Sequence, residues 1–251
     1  MSPGLSIFVS VLAVAILSMP VFAITRRGRK DADAERKGSR FLLGGGDFLI
    51  HWFMWAIGPA ERFLLKIGAT PNHMNALGLL FGLLSGVLIG TRHLEAGGWA
   101  IALAGVCDIL DGRLARAQQV ASPYGKFIDS TLDRFVETFA FLGFAAYFGG
   151  QTVGGLIVTA GLGGSLLVSY AQARGETVGV SGSGGLMQRA ERLVLQILAC
   201  LLDPTVTRGA GWEEGTLLLW VLGVMAVGSM GTAVYRTIWI AARLPSTFNS
   251  K

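Results

Sequence analysis

Seven predominantly apolar runs order the chain, at residues 4–24, 75–91, 97–117, 126–148, 153–173, 187–202 and 215–238. Their lengths cluster around the roughly 20 residues that a helix needs to cross a bilayer. An eighth stretch, 48–68 (FLIHWFMWAIGPAERFLLKIG), differs in kind. It mixes Trp, Phe and Leu with Glu61, Arg62 and Lys66. That pattern predicts an amphipathic helix lying along the membrane interface, broken near Gly58-Pro59. The first run has no basic residue before it and is followed at once by TRRGRK. Such flanks predict a retained anchor rather than a cleaved signal peptide.

Composition agrees with a helical membrane protein. Of 251 residues, 52% are hydrophobic and only 15% charged, with 36 glycines, and mean hydropathy is +0.55. Glycine at this level suits transmembrane helices, whose backbones it lets approach closely. Cys107 and Cys200 lie within apolar runs without metal-site spacing and read as buried thiols. The net charge of +5 has no soluble basic domain behind it, so nucleic acid is excluded as a partner. Anionic lipid or a phosphorylated substrate fits better.

Basic residues set the orientation. Nineteen of the 21 Lys and Arg fall on one side of the predicted spans, and only Arg92 and Arg208 on the other. The positive-inside rule then places the N-terminus outside and the richer side in the cytoplasm. The predicted order is an N-terminal transmembrane helix (1–25), a basic cytoplasmic linker (26–47) and the interfacial helix (48–70). A six-helix domain (71–243) and a short tail (244–251) complete it.

Against this apolar background, Asp108, Asp111, Asp129 and Asp133 crowd into 26 positions. Asp108, Asp111 and Ala115 share one helix stripe (i, i+3, i+7), and Gly125, Asp129 and Asp133 share another (i, i+4, i+8). The polar AQQVASPYG between them predicts a hairpin that turns the stripes face to face at the cytoplasmic boundary. Clustered carboxylates repel unless a cation lies between them, and hard divalent ions favour oxygen donors shared with phosphates. Two such ions would clamp a diphosphate, and one carboxylate would take a proton from an attacking hydroxyl. Gly112 leaves room at the helix backbone, and Arg116 suits phosphate. Spacing alone keeps open a cation transporter, or structural pairing with Arg113, Arg116 and Arg134.

The string Asp108-x2-Asp111-Gly112-x2-Ala115-Arg116-x8-Gly125-x3-Asp129-x3-Asp133 resembles, without a departure, the signature of the CDP-alcohol phosphotransferase family. TPNHMN (70–75) resembles that family's lead-in to its first span. The resemblance implies an all-α integral membrane enzyme: a six-transmembrane-helix core plus the N-terminal anchor and interfacial helix. It would transfer a phosphatidyl group from CDP-diacylglycerol or another CDP-lipid to a hydroxyl acceptor, releasing CMP. By the same resemblance Asp108, Asp111, Asp129 and Asp133 would bind Mg²⁺ or Mn²⁺, with two ions expected, and Asp133 would act as general base. Gly112, Ala115, Arg116 and Gly125 would form the nucleotide and diphosphate site, and the enzyme would be a homodimer.

The loop SYAQARGETVGVSGSGGLMQRAERLVL (169–195) brings Arg174, Arg189 and Arg192 to the cytoplasmic side. Guanidinium groups suit phosphate, which predicts a phosphorylated polar acceptor, although the positive-inside rule alone would also put arginines there. QARGETVGV and MQRAER resemble the branch that makes phosphatidylinositol phosphate or its archaeal ether counterpart. Gly175 stands where that branch tends to carry alanine, and Ala190 where it often carries proline. Inositol 1-phosphate is the expected acceptor, with glycerol 3-phosphate or another polar alcohol the alternative. His51, His73 and His93 are not spaced as metal ligands, and Trp52, Trp55 and Trp99 read as interfacial belt residues. Gly82 and Gly86 form a small-residue stripe suited either to dimerisation or to packing within the bundle.

Overall fold

A computed structural model of the chain describes residues 3–25, 47–180 and 184–244. The expected linker and the tail beyond residue 244 lie outside the described residues, which are helical throughout apart from turns. We number the helices α1 (Pro3–Thr25), α2 (Asp47–Lys66), α3 (Pro71–Gly90), α4 (Leu94–Ala117), α5 (Pro123–Tyr147), α6 (Thr152–Thr177), α7 (Arg189–Ala210) and α8 (Thr216–Ala241).

Among the described residues, five helices, α1, α3, α6, α7 and α8, are long and apolar enough to cross a membrane. Helices α4 and α5 carry the aspartates, which lower their hydropathy. Their 24 and 25 residues still reach about 36 Å at 1.5 Å per residue, beyond the ~30 Å hydrocarbon core. The outer surface is apolar, as lipid requires: on α8 alone, Trp220, Val224, Val227 and Ile238 are exposed. The chain is an integral membrane protein.

Helix α2 departs from the break that its Gly58-Pro59 pair predicts: it runs continuously from Asp47 to Lys66 with Pro59 inside it. Proline costs a helix one backbone bond and a clash with the carbonyl four residues earlier, here Trp55. Pro59 is exposed in the middle of the helix, and on a helix lying along the interface polar surroundings can satisfy that carbonyl, so the segment stays helical.

Local chemistry sets the element starts nearest the aspartates. Thr70 caps α3, Pro71 occupies its first turn, and His73 Nδ1 accepts from the Thr70 amide at 3.1 Å. This gives one of the three histidines a capping role. Ser122 caps α5 by accepting from the Gly125 amide at 3.2 Å, again with proline next in sequence.

Helix α3 packs on α4 and α5, α6 on α8, and α7 on α4 and α8. The α3–α5 crossing is tight. A Cβ on Gly82 would stand 2.8 Å from Val136, and one on Gly86 would strike the Phe139 carbonyl. The small-residue stripe therefore serves packing inside the bundle, the second of its two readings. The main core, including Ile89, Phe141, Phe144, Leu218 and Met225, fills the bundle away from the aspartates. A second cluster of Ile57, Ala69, Met74, Leu110 and Leu114 fastens α2 to α4 beside them. Cys107 and Cys200 are buried free thiols.

Candidate active site

The hairpin between α4 and α5 turns within 118–122, with Gln119 in a left-handed conformation at φ 57°. Gln118 Nε2 donates to the Ala69 carbonyl at 2.7 Å, tying the hairpin to the lead-in of α3. The two aspartate stripes meet as their spacing predicts. One carboxylate oxygen from each of Asp108, Asp111 and Asp129 lies within 4.8 Å of the others. Asp111 is buried, at 5% exposure, while Asp108 and Asp129 are half-buried. The three line a cavity of about 20 Å³ together with Asp133, Asn75 and Arg189. That space suits one small ion or water. Three hard oxygens converging from two helices are the donor set a divalent cation takes.

Asp133 is oriented differently. Arg189 Nη2 donates to its Oδ1, and Arg189 Nη1 donates to Asp108 Oδ2 at 2.9 Å. Arg134 Nη1 stands 3.7 Å from the other Asp133 oxygen. The four acids therefore divide: three bring carboxylate oxygens within 4.8 Å of one another, and Arg189 clips the fourth to Asp108.

The predicted nucleotide-site residues lie around this group. The Arg116 guanidinium folds over Gly112, 3.2 Å from where a Cβ would stand. Gly125 opens the first turn of α5, where a Cβ would meet only the Ser122 hydroxyl at 3.5 Å. Ala115 is half-buried one turn beyond Asp111 on α4.

The three arginines expected at the acceptor have three different environments. Arg189 begins α7 and reaches the aspartates. Arg192, one turn on, is 1% exposed, and its Nε and Nη2 donate to Glu137 at 2.8 and 3.3 Å. Its Nη1 donates to the Met187 carbonyl at 3.1 Å. Arg174 is exposed in the last turn of α6. The neighbouring Gly175 is tightly enclosed: a Cβ there would stand 2.9 Å from the Val180 carbonyl.

Several supporting residues escaped the sequence reading. Glu137 accepts from Arg192 and from the Ser165 hydroxyl, and so joins α5, α6 and α7. The available signal was its place in the stripe 125, 129, 133, 137, one turn past Asp133. Thr232 and Arg236 of α8 pin the segment before α7. The Thr232 hydroxyl accepts from the Met187 amide at 3.1 Å, and Arg236 Nε donates to the Gly184 carbonyl at 3.0 Å. No spacing rule announces these contacts, which join residues more than 40 positions apart. On the other side Arg113 pairs with Glu61 of α2 at 2.6 Å, which places α2 against the aspartate-bearing helix.

Comparison with known proteins sharpens the picture. A family model described as CDP-alcohol phosphatidyltransferase matches residues 69–227. The chain is 32% identical over 195 residues to the phosphatidylinositol phosphate synthase of Streptomyces avermitilis, covering 75% of this chain and 79% of that protein. It is 35% identical over 156 residues to the archaetidylinositol phosphate synthase of Pyrococcus horikoshii, covering 58% of this chain and 78% of the relative. The Mycobacterium tuberculosis phosphatidylinositol phosphate synthase with CDP-DAG bound superposes with a TM-score of 0.66 at 25% identity. That match covers 77% of this chain and 96% of the mycobacterial one. The same mycobacterial protein has been solved in complex with manganese and citrate; that structure matches at a TM-score of 0.66 and 26% identity, over 77% of this chain and 92% of the other.

Proposed function

The chain belongs to the CDP-alcohol phosphatidyltransferase family, and from that premise we propose that it transfers a phosphatidyl group from CDP-diacylglycerol to inositol 1-phosphate, releasing CMP. The observation that carries the reading is the convergence of Asp108, Asp111 and Asp129 across the α4–α5 hairpin. The family signature falls on those same residues.

In this reading the acceptor oxygen attacks the phosphorus that bears the lipid. A new P–O bond forms, the P–O–P anhydride bond breaks, and CMP leaves with the electron pair. Asp108, Asp111 and Asp129 would hold Mg²⁺ or Mn²⁺, with Asp133 contributing where two ions bind. Bound there, the metal would polarise the diphosphate and offset charge on the leaving group. Asp133 takes the acceptor proton, and Arg189 orients its carboxylate. Gly112, Ala115 and Gly125 leave space for the nucleotide beside the helix backbones, with Arg116 against phosphate. Arg174, Arg189 and Arg192 are the cationic side toward the phosphorylated acceptor. Arg174 would reach the acceptor from the surface, whereas Arg192 would act from its place on Glu137.

The reading includes a cytoplasm-facing site in the cell membrane and an N-terminus outside, on the strength of the basic-residue asymmetry. It also includes a homodimer, whose interface would lie elsewhere than Gly82 and Gly86 because these pack against α5. A transporter is disfavoured by the placement of the acids: they gather at one end of a helical hairpin rather than along a path.

The test is CMP release by the purified protein with CDP-diacylglycerol and Mg²⁺. Inositol 1-phosphate, glycerol 3-phosphate, inositol and serine are offered separately, with Asp133→Asn as control. Turnover with inositol 1-phosphate, lost in the control, is expected. Turnover with glycerol 3-phosphate alone would transfer the assignment to that acceptor, and no CMP with any acceptor would remove it.

A further inference from the structure

A cavity of about 450 Å³ lies between α1 and α2, and every residue lining it except Arg113 of α4 falls outside the segment that matches the family model. Its size is in the range of small-ligand sites. The apolar wall comes from Val14 and Phe22 of α1 and Trp55 of α2, and the polar end from Glu61, Arg62 and Arg113.

Directional contacts hold this wall in place. Trp52 Nε1 donates to the Ser18 hydroxyl at 2.9 Å. The Phe22 ring packs 5.5 Å from that of Phe48 and 5.7 Å from that of Trp55. Helix α1 is thus fastened to α2 by a hydrogen bond and an aromatic cluster, with a space left beneath.

The charges leave a surplus. Glu61 is taken up by Arg113, whose Nε and Nη2 both stand 2.6 Å from Oε2. Arg62 makes no hydrogen bond or ion pair among the described residues. Glu61 lies against Arg113, which leaves Arg62 as the cation at the polar end without an acid on it among the described residues. A soluble anion would need no apolar wall, and a neutral lipid would need no cation. The combination of a lone guanidinium and an aromatic-aliphatic wall, at the junction of a spanning helix and an amphipathic one, matches an amphiphile with an anionic phosphate headgroup.

We propose that the α1–α2 cavity binds one anionic phospholipid, its phosphate held by Arg62 and its chain lying along the Val14–Phe22 face of α1. Through the Glu61–Arg113 pair, this lipid touches the helix that carries Asp108 and Asp111 without belonging to their site.

The test uses the full chain in nanodiscs of phosphatidylcholine with a minor fraction of phosphatidylglycerol. Lipids retained after mild detergent extraction are counted by native mass spectrometry. Wild type is expected to retain phosphatidylglycerol over phosphatidylcholine. Arg62→Ala, which removes the cation, and Ala56→Trp, which fills the space, are each expected to lower that retention about tenfold. Both positions are exposed, and an unchanged melting profile confirms folding. Lipid held at the aspartate site is common to all three proteins, so the difference reports the cavity. Equal retention in wild type and both variants would overturn the proposal. Displacement of the lipid by free glycerol 3-phosphate would overturn it too, because the site would then be one for a soluble anion.

Discussion

Arg192 Nε lies 2.8 Å from Glu137 Oε1, and the arginine is 1% exposed. The pair joins α7 to α5 one turn beyond the residues that join Arg189 to Asp133. Breaking a buried ion pair on one side leaves an uncompensated charge, at a cost of about 3–5 kcal/mol. Glu137→Ala is therefore expected to lower stability by about that amount, read by chemical unfolding in detergent. Glu137→Gln, which keeps an acceptor for Arg192, should lose clearly less. Equal losses would mean that the charge is immaterial.

The three converging aspartates predict a metal dependence. Asp111→Asn or Asp129→Asn should weaken Mn²⁺ binding, measured by titration calorimetry, and lower CMP release by roughly 10²–10³-fold, about 3–4 kcal/mol of barrier. Chelation of divalent ions should abolish turnover, and added Mg²⁺ or Mn²⁺ should restore it. Undiminished turnover in EDTA would contradict the assignment.

Arg174 offers a cleaner test of acceptor recognition than its partners, because it is exposed and buries no charge. Arg174→Ala should raise KM for inositol 1-phosphate about tenfold, the loss expected for a charge-assisted contact, while the melting profile stays unchanged. If KM for the CDP-lipid rises instead, Arg174 serves the donor.

At the α3–α5 crossing, Gly86→Val would force a side chain onto the Phe139 carbonyl. Overpacking of this kind costs about 1–3 kcal/mol. Because Asp129 and Asp133 ride on α5, activity should fall along with the melting temperature. A change in oligomeric state with stability intact would instead put this stripe at a subunit interface.

Asp203 is buried inside α7, away from the metal candidates, and accepts from the Gly215 and Leu218 amides at 2.8 and 3.0 Å. It satisfies the free donors at the start of α8. Asp203→Ala should cost about 1–3 kcal/mol in unfolding experiments and leave Mn²⁺ affinity unchanged. A drop in metal affinity would show that Asp203 is coupled to the distant site.

Much of this was legible in the chain itself. Apolar runs of membrane-spanning length, the asymmetry of Lys and Arg, and the i+3 and i+4 spacing of four aspartates are properties of single helices. A helix has one fixed period, so residue number translates directly into face and height. The fold class and the meeting of Asp108, Asp111 and Asp129 followed from that period and one hairpin. Proline was the exception: as a strong local signal, Pro59 predicted a break that α2 does not have. The rest depended on which helices become neighbours, and helical periodicity carries no information about that. Arg189, Arg192 and Arg174 look equivalent in sequence, as basic residues flanking one loop. Only the seating of α7 on α4 and α8, with its first turns facing α5, sends the first to Asp133 and the second to Glu137, and leaves the third at the surface. Likewise Arg113 meets Glu61, and the space beside Arg62 exists, because α1 and α2 come together over α4. Buried charges must find partners, and the partner within reach is decided by the tertiary fold.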